Sequence, residues 1–113
     1  MIKEPYRDYA TEAFRLWAAA ECPSVDESRK RYTGAIRADF VACAEVMRDS
    51  EPETAAIVRA VYMARPREKP GKGEISGRVL RYSMEHYLSE RQVWERLADA
   101  RIEFARRRGL RVE

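Results

Sequence analysis

Residues 74–109, EISGRVLRYSMEHYLSERQVWERLADARIEFARRRG, decide the fold of this chain. Apolar residues recur there every three or four positions, which is the spacing of one face of an α-helix. The pattern predicts a helix over 74–86, a short turn, and a longer helix over 89–108 that Ser89 caps and Gly109 ends. A helix, a tight turn and a capped amphipathic helix are typical of a helix-turn-helix unit. The residues expected to face the core are Ile75, Val79, Tyr82, Ser83, Val93, Leu97, Ala100 and Phe104.

Three further helices, and no strand, are predicted before residue 65. They cover about 4–20, 24–48 and 50–64. Ser24 and Ser50 are each followed three residues later by Glu, the spacing of a capping box at a helix start. The chain is therefore expected to be all-α, with about five helices. The core-facing residues are expected to be Tyr6, Tyr9, Ala13, Leu16, Trp17, Ala20, Tyr32, Ile36, Phe40, Cys43, Ala44, Met47, Ala55, Val58, Val61 and Tyr62.

Residues 65–73, RPREKPGKG, form the clearest loop. Two prolines and two glycines in this segment exclude a continuous helix. We expect a three-helix part over 1–64, this basic loop, and a helix-turn-helix part over 74–113, all within one compact domain. The loop is either a solvated connector or an arm that contacts phosphate.

Composition sets the class of protein. The 113 residues, 45% hydrophobic and 36% charged, suffice for one modest core and argue against disorder. No apolar run of about eighteen residues is available to span a membrane. The first residues, MIKEPY, contain no apolar signal core, so a cytoplasmic location is expected. Cys22 and Cys43 are then expected to be free thiols.

Enzymatic activity is not expected. The chain has one histidine, His86, and shows no nucleophile–base arrangement and no phosphate-binding glycine loop. The same scarcity of ligands argues against a metal site, and no cofactor is expected. His86 is interpreted as a structural residue near the turn.

Charge is distributed unevenly along the chain. Residues 1–58 carry 8 Lys and Arg against 11 Asp and Glu, whereas residues 59–113 carry 14 against 8. A basic C-terminal half beside a mildly acidic N-terminal half favours a nucleic-acid partner.

Residues 88–97, LSERQVWERL, with Ala100-Arg101 and the segment 104–110, FARRRGL, resemble the C-terminal end of the ArpU/RinA-type phage regulators. That family is similar to region 4 of sigma factors, which reads the −35 promoter element. The resemblance covers about 57–110 and implies a transcriptional activator with double-stranded DNA and RNA polymerase as partners; a homodimer is compatible with it. The sequence departs from the sigma-like pattern at two positions. Tyr87 stands where a turn glycine is usual, and His86 where a leucine usually fills the core.

The helical phase set by Val93 and Leu97 turns Arg91, Gln92 and Glu95 away from the core, near the start of the last helix. A recognition helix inserts this end into the major groove. Arg91 is suited to guanine, Gln92 to adenine and Glu95 to cytosine. The alternative is a solvated face on which Arg91 and Glu95 form an ordinary ion pair across one turn.

Phosphate contacts are predicted on the flanks of this face. The last basic run, 106–108, either joins them or complements the helix dipole. Trp94 is expected to pack on the N-terminal helices rather than stack on a base. The predicted phosphate-contacting residues are Arg78, Arg81, Ser89, Arg96 and Arg101.

A second class of function stays open. Phage small-terminase subunits and adaptor proteins are also short and helical, and they too contain helix-turn-helix units. In such a packaging protein the N-terminal helices would build a ring. The sequence lacks the sustained heptads of a long coiled coil. An eight- to ten-subunit ring would favour packaging, and a monomer or dimer the regulator.

Overall fold

The structure, a computed structural model, describes residues 4–111 and contains six α-helices and no strand in that range. The prediction of an all-α fold is therefore confirmed, with six helices rather than about five. Residues 1–3, which belong to the segment interpreted as lacking a signal core, and residues 112–113 of the predicted last part lie outside the described residues. The helices are α1 (Arg7–Ala19), α2 (Val25–Arg31), α3 (Gly34–Asp49), α4 (Pro52–Tyr62), α5 (Glu74–His86) and α6 (Glu90–Arg108).

The additional helix arises from a break inside the second predicted helix. Tyr32 and Thr33 are extended, with φ of −125° and −132°. Gly34 follows with a φ of +63°, a left-handed conformation that side-chain-bearing residues rarely adopt. The apolar spacing continues across this point, so periodicity alone predicted one helix where the backbone forms two.

Two serine caps set the starts of α2 and α6. The hydroxyl of Ser24 accepts from the backbone N–H of Glu27 at 3.1 Å, and the Glu27 carboxylate accepts from the backbone N–H of Ser24. Ser89 and Gln92 form the same reciprocal pair at the start of α6, at 2.9 and 3.0 Å. Each capping box satisfies N–H groups that the helix itself leaves unpaired.

The capping box predicted at Ser50 and Glu53 is wrong. Glu51 is the residue that precedes α4 and makes no side-chain cap, and Pro52 opens the helix. The Ser50 hydroxyl instead donates to the carbonyl of Val46 at 2.6 Å, at the end of α3. Proline has no N–H and a helical φ, so this helix starts without a serine cap.

Helix α6 is central to the core and contacts α1, α3, α4 and α5. Val93, Leu97 and Phe104 on its inner face are fully buried, as predicted. Phe104 packs against Phe14 of α1, with ring centroids 5.6 Å apart. The helices before and after the 65–73 loop therefore share one hydrophobic core.

Three residues expected in the core are exposed. Tyr9, Leu16 and Ile36 retain 42%, 45% and 55% of their accessible surface. On α1 Ala13 and Trp17 are buried as predicted, as is Tyr6 just before the helix, whereas Ala10 and Phe14 are buried in place of Tyr9 and Leu16. The inner face of α1 is rotated relative to the predicted one, because Phe14 rather than Leu16 meets α6.

The 65–73 loop is non-helical, as predicted. Arg15 of α1 donates to the carbonyl of Pro66 at 2.7 Å, and the N–H of Gly71 donates to Glu74 at 3.3 Å. The loop is thus attached to α1 at its start and to the first turn of α5 at its end. None of the helices within residues 4–111 is long and apolar enough to cross a membrane.

Candidate nucleic-acid interface

The connection between α5 and α6 is three residues long, 87–89. Tyr87 adopts a left-handed conformation with φ +56° and ψ +38°. The N–H of Leu88 then donates to the carbonyl of Ser83 at 3.0 Å, which closes a Schellman-type end to α5. Tyr87 adopts the left-handed conformation for which glycine is usual at this point. For an L-residue with a side chain this conformation costs roughly 1–2 kcal/mol of conformational free energy.

The first turn of α6 is exposed to solvent, whereas the face of the helix that points into the core is buried. Val93 and Leu97 point into the core, so Arg91, Gln92 and Glu95 face solvent, as the helical phase predicts. The Arg91 side chain retains 88% of its accessible surface. All three predicted base-reading side chains are therefore accessible at the start of α6.

In the free protein Arg91 forms an ion pair with Glu95, as the alternative interpretation of a solvated face predicted. Its Nε lies 3.0 Å from Oε1 of Glu95, one turn along the helix. Such an exposed pair is worth only about 0.2–0.5 kcal/mol. A guanine edge could replace Glu95 as the acceptor at little cost.

Gln92 and Ser89 are already engaged with each other. The side-chain oxygen of Gln92 accepts from the backbone N–H of Ser89, and the Ser89 hydroxyl accepts from the N–H of Gln92. Bidentate recognition of adenine uses both the oxygen and the nitrogen of a glutamine side chain. Gln92 would have to release its cap to read adenine in this way, whereas Arg91 loses only a solvated ion pair.

Besides Ser89, two of the predicted phosphate contacts, both arginines, are not buried. Arg81 is exposed and forms no ion pair within residues 4–111. Arg96 is half-buried and is directed toward the start of α4, with its guanidinium 3.5 Å from Glu53 and 3.9 Å from Glu51. Arg81 is therefore available to a phosphate, and Arg96 is partly neutralised.

Arg101 is the first correction among the predicted contacts. It is 3% exposed, and its guanidinium donates to both carboxylate oxygens of Glu4, at 2.7 and 2.8 Å, and to the Tyr62 hydroxyl at 2.6 Å. It therefore joins the N-terminal segment to α4 and α6 instead of contacting phosphate. Arg101 follows Val93 and Leu97 at intervals of four, so the helical phase already placed it on the inner stripe.

Arg78 is the second correction. It is 8% exposed, donates to the carbonyl of Val61 at 2.8 Å, and forms an ion pair with Glu74 one turn earlier. Val61 lies in the last turn of α4, whose carbonyls lack partners within the helix. Arg78 therefore links the end of α4 to α5 and does not reach solvent phosphate.

The basic run 106–108 at the end of α6 is neutralised by neighbouring acids. Arg107 lies 2.7 Å from Asp49, Arg108 lies 2.6 Å from Asp39, and Arg106 lies 3.0 Å from Glu103. Asp39 and Asp49 belong to α3, so acids of the N-terminal half cancel cations of the C-terminal half. Part of the positive charge of the C-terminal half is thus neutralised by ion pairs with the N-terminal half.

The remaining cations of the C-terminal half concentrate in the loop and α5. Five Lys and Arg in this region form no ion pair within residues 4–111, and we call them the loop–α5 basic surface. Two of them, Arg65 and Arg81, line a cleft of about 510 Å³ between the end of α4 and α5. The sequence left two interpretations of this loop, a solvated connector or an arm that contacts phosphate, and its cations without a close ion pair are compatible with both. Its members are Arg65, Arg67, Lys69, Lys72 and Arg81.

A smaller group of basic residues lies in the N-terminal half of the chain. Arg29, Lys30 and Arg37 of α2 and α3 are exposed and without an ion pair within residues 4–111. Arg29 and Arg37 line a groove of about 530 Å³. Sequence reasoning missed this group because the N-terminal half is acidic in total, and its acids are paired elsewhere.

Other chemistry-bearing residues are accounted for by packing. The His86 ring stacks on Tyr82, with centroids 3.9 Å apart. The Arg7 guanidinium lies 5.6 Å from the centre of the half-buried Trp94 ring, so Trp94 packs on α1 as expected. Burial raises the pKa of the Cys43 thiol well above its ordinary value. Within residues 4–111 no three His, Cys, Asp or Glu side chains are grouped to hold a metal.

Comparison with known proteins gives no match, since no family model matches the chain and neither a curated protein nor a solved structure is significantly similar to it.

Proposed function

We propose that the chain binds duplex DNA, with α5, the 87–89 connection and α6 acting as a helix-turn-helix. The observation that carries the proposal is the exposed start of α6. Arg91, Gln92 and Glu95 project from the N-terminal end of a helix whose inner face is buried against four others. That end of a recognition helix enters the major groove, and a rigidly packed helix holds its reading residues in register.

The loop–α5 basic surface supplies the phosphate contacts in this proposal. The first helix of such a unit crosses the DNA backbone. Arg65, Arg67, Lys69 and Lys72 directly precede α5, and Arg81 lies on it. These cations form no close ion pair among the described residues, although Lys69 and Arg65 interact electrostatically with Glu12 and Glu74. The arginines at the end of α6 are ion-paired, so the loop segment suits backbone binding better than that end of α6 does.

The proposed biological role is transcriptional regulation. It rests on the resemblance of the 88–110 segment to the ArpU/RinA-type phage regulators, which implies DNA reading next to RNA polymerase. DNA binding itself rests on the residues above and is tested separately from that role.

The first expected result concerns salt. The protein should bind a duplex of random sequence, with log K falling linearly against log salt concentration by about 0.9 for each phosphate neutralised. Replacing Arg67, Lys69 and Lys72 with Gln should reduce that slope by about 2.7, because three phosphate contacts are lost. Fluorescence anisotropy titrations at several salt concentrations measure both quantities.

The matched control removes the same charge elsewhere. The triple change of Arg29, Lys30 and Arg37 to Gln should leave most of the slope intact. The proposal fails if the wild-type protein binds no duplex at low salt. Equal losses from the two triple variants would show that binding follows net charge and not this surface.

The second expected result concerns sequence preference. Arg91→Ala should cost roughly 1–3 kcal/mol of binding on the preferred site and relax preference at one base position. A competitive selection on a randomised duplex library, followed by titration of the selected site, measures both effects. Arg106→Ala is the control, because Arg106 is an exposed, ion-paired arginine at the other end of the same helix. An unchanged motif and affinity in Arg91→Ala would remove α6 as the reading element.

A further inference from the structure

Helices α5 and α6 end in the same backbone motif but with different residues. Gly109 follows α6 with a φ of +81°, and the N–H of Leu110 donates to the carbonyl five residues earlier at 2.8 Å. Tyr87 follows α5 with a φ of +56°, and the N–H of Leu88 makes the corresponding hydrogen bond at 3.0 Å. Glycine has no Cβ and takes this left-handed conformation without the steric penalty of other residues. The fold therefore needs a left-handed residue at position 87, but it does not need a tyrosine.

The side chain of Tyr87 adds almost nothing to the packing of the protein. It retains 96% of its accessible surface and forms no hydrogen bond, ion pair or ring contact with another residue of the 4–111 range. Residues held in a costly backbone conformation cluster at functional sites, where the side chain is needed for something other than the fold. The phenol of Tyr87 is therefore a candidate contact for a partner.

Tyr87 lies at the end of α6 that the proposed function directs toward DNA. It precedes the capping Ser89 by two residues and Arg91 by four. Because the start of a recognition helix enters the major groove, a residue just before that start lies at the edge of the groove, which the phosphates line. Tyrosine is among the side chains that form hydrogen bonds to phosphate oxygens.

We propose that the hydroxyl of Tyr87 donates a hydrogen bond to a DNA phosphate at the edge of the groove that α6 enters. This inference rests on the proposed function, and it adds a neutral contact to the charged contacts of the loop–α5 basic surface. A phosphate contact fixes the position of the protein on the duplex but carries no sequence information. Tyr87 therefore positions α6, while Arg91 reads the base.

A neutral phosphate contact has a distinct experimental signature. A cation that binds phosphate releases a counterion and adds to the salt dependence of binding, whereas a hydroxyl releases none. Loss of the Tyr87 hydroxyl should therefore lower the affinity by the same factor at every salt concentration and leave the preferred DNA sequence unchanged. Loss of the loop cations should instead change the salt slope, and loss of Arg91 should change the preferred sequence.

Two substitutions at position 87 test the proposal on the whole chain, by fluorescence anisotropy on the selected duplex and by thermal unfolding. Tyr87→Phe removes only the hydroxyl, and it should raise the Kd about fivefold, the size expected for one lost hydrogen bond, with the Tm and the salt slope unchanged. Tyr87→Gly should weaken binding at least as much and yet raise the Tm by about 3 °C, because it relieves the left-handed strain. The matched control is Glu21→Gly, at an exposed residue outside the helix-turn-helix with a φ of +68°. This change should also raise the Tm, but it should not weaken DNA binding.

The possible outcomes separate this inference from the proposed function. If the wild-type protein binds no duplex, both are overturned. If the wild-type protein binds and Tyr87→Phe binds equally tightly, the phosphate contact is overturned and the proposed function stands. A changed sequence preference in Tyr87→Phe also overturns the contact, because a phosphate cannot select a base. A lower Tm in Tyr87→Gly would overturn it as well, because the tyrosine would then serve the fold.

Discussion

Arg101→Ala should lower the free energy of unfolding by about 3 kcal/mol, the lower end of the range for breaking a buried ion pair. The guanidinium of Arg101 is buried, and it satisfies both carboxylate oxygens of Glu4 and the hydroxyl of Tyr62. Its removal leaves these acceptors without their partner. The Glu4 side chain retains 24% of its accessible surface, so water compensates part of the loss.

Urea denaturation followed by circular dichroism measures this effect. The matched control is Arg106→Ala, which removes an exposed arginine of the same helix that pairs with Glu103. That change should cost no more than about 0.5 kcal/mol. A loss in Arg101→Ala no larger than in Arg106→Ala would contradict the structural role of Arg101.

The pH dependence of stability gives a second readout of the same contact. The hydrogen bond from Arg101 lowers the pKa of Glu4 below its ordinary value of 4.5, and burial opposes it less strongly. A carboxylate with a lowered pKa in the folded state stabilises the protein above its ordinary pKa, and this contribution is lost as the pH falls through the folded-state pKa. The difference in stability between wild type and Arg101→Ala should therefore shrink as the pH falls below 4.5.

Phe104→Ala should lower the free energy of unfolding by about 3–5 kcal/mol. Phe104 is fully buried in the last third of α6, and its ring lies 5.6 Å from Phe14 and 6.2 Å from Tyr9 between ring centres. Truncation removes contacts to α1 and leaves a cavity that the surrounding helices cannot close. Thermal and urea unfolding report the loss directly.

Leu16→Ala is the informative control for this prediction. Helical periodicity predicted that Leu16 faces the core, but the structure leaves it exposed. We therefore expect Leu16→Ala to cost at most about 0.5 kcal/mol, as is usual for a surface substitution. A cost comparable to that of Phe104→Ala would mean that the predicted face of α1, and not the observed one, packs on α6.

The sequence predicted α5, the connection and α6 closely because their defining interactions are local. A capping box joins residues three apart, and a left-handed Gly109 ends α6 within one turn. The exposure of Arg91, Gln92 and Glu95 was also predictable, since the helical phase set by Val93 and Leu97 determines it. The break at 32–34 was not, because the apolar period runs through a point where only the backbone changes.

The partners of the arginines were decided by tertiary structure. Arg101 contacts Tyr62 and Glu4, which are 39 and 97 residues away along the chain. Local periodicity places the long side chain of Arg101 beside the buried face of α6. Whether its guanidinium points inward depends on an acceptor that is distant in sequence. The same holds for Arg108, which finds Asp39 on another helix.

The sequence by itself thus determined the class of fold, the bounds of the last two helices and the phase of their faces, because backbone hydrogen bonds, caps and helical periodicity act over a few residues. Only the tertiary structure decided which charges remain on the surface. Packing α6 among four helices pairs the acids of the N-terminal half with the arginines of α6 and leaves unpaired cations in the 65–73 loop and on α5. Ion pairs form between side chains that are close in space, and closeness in space follows from how the helices pack and not from their order along the chain.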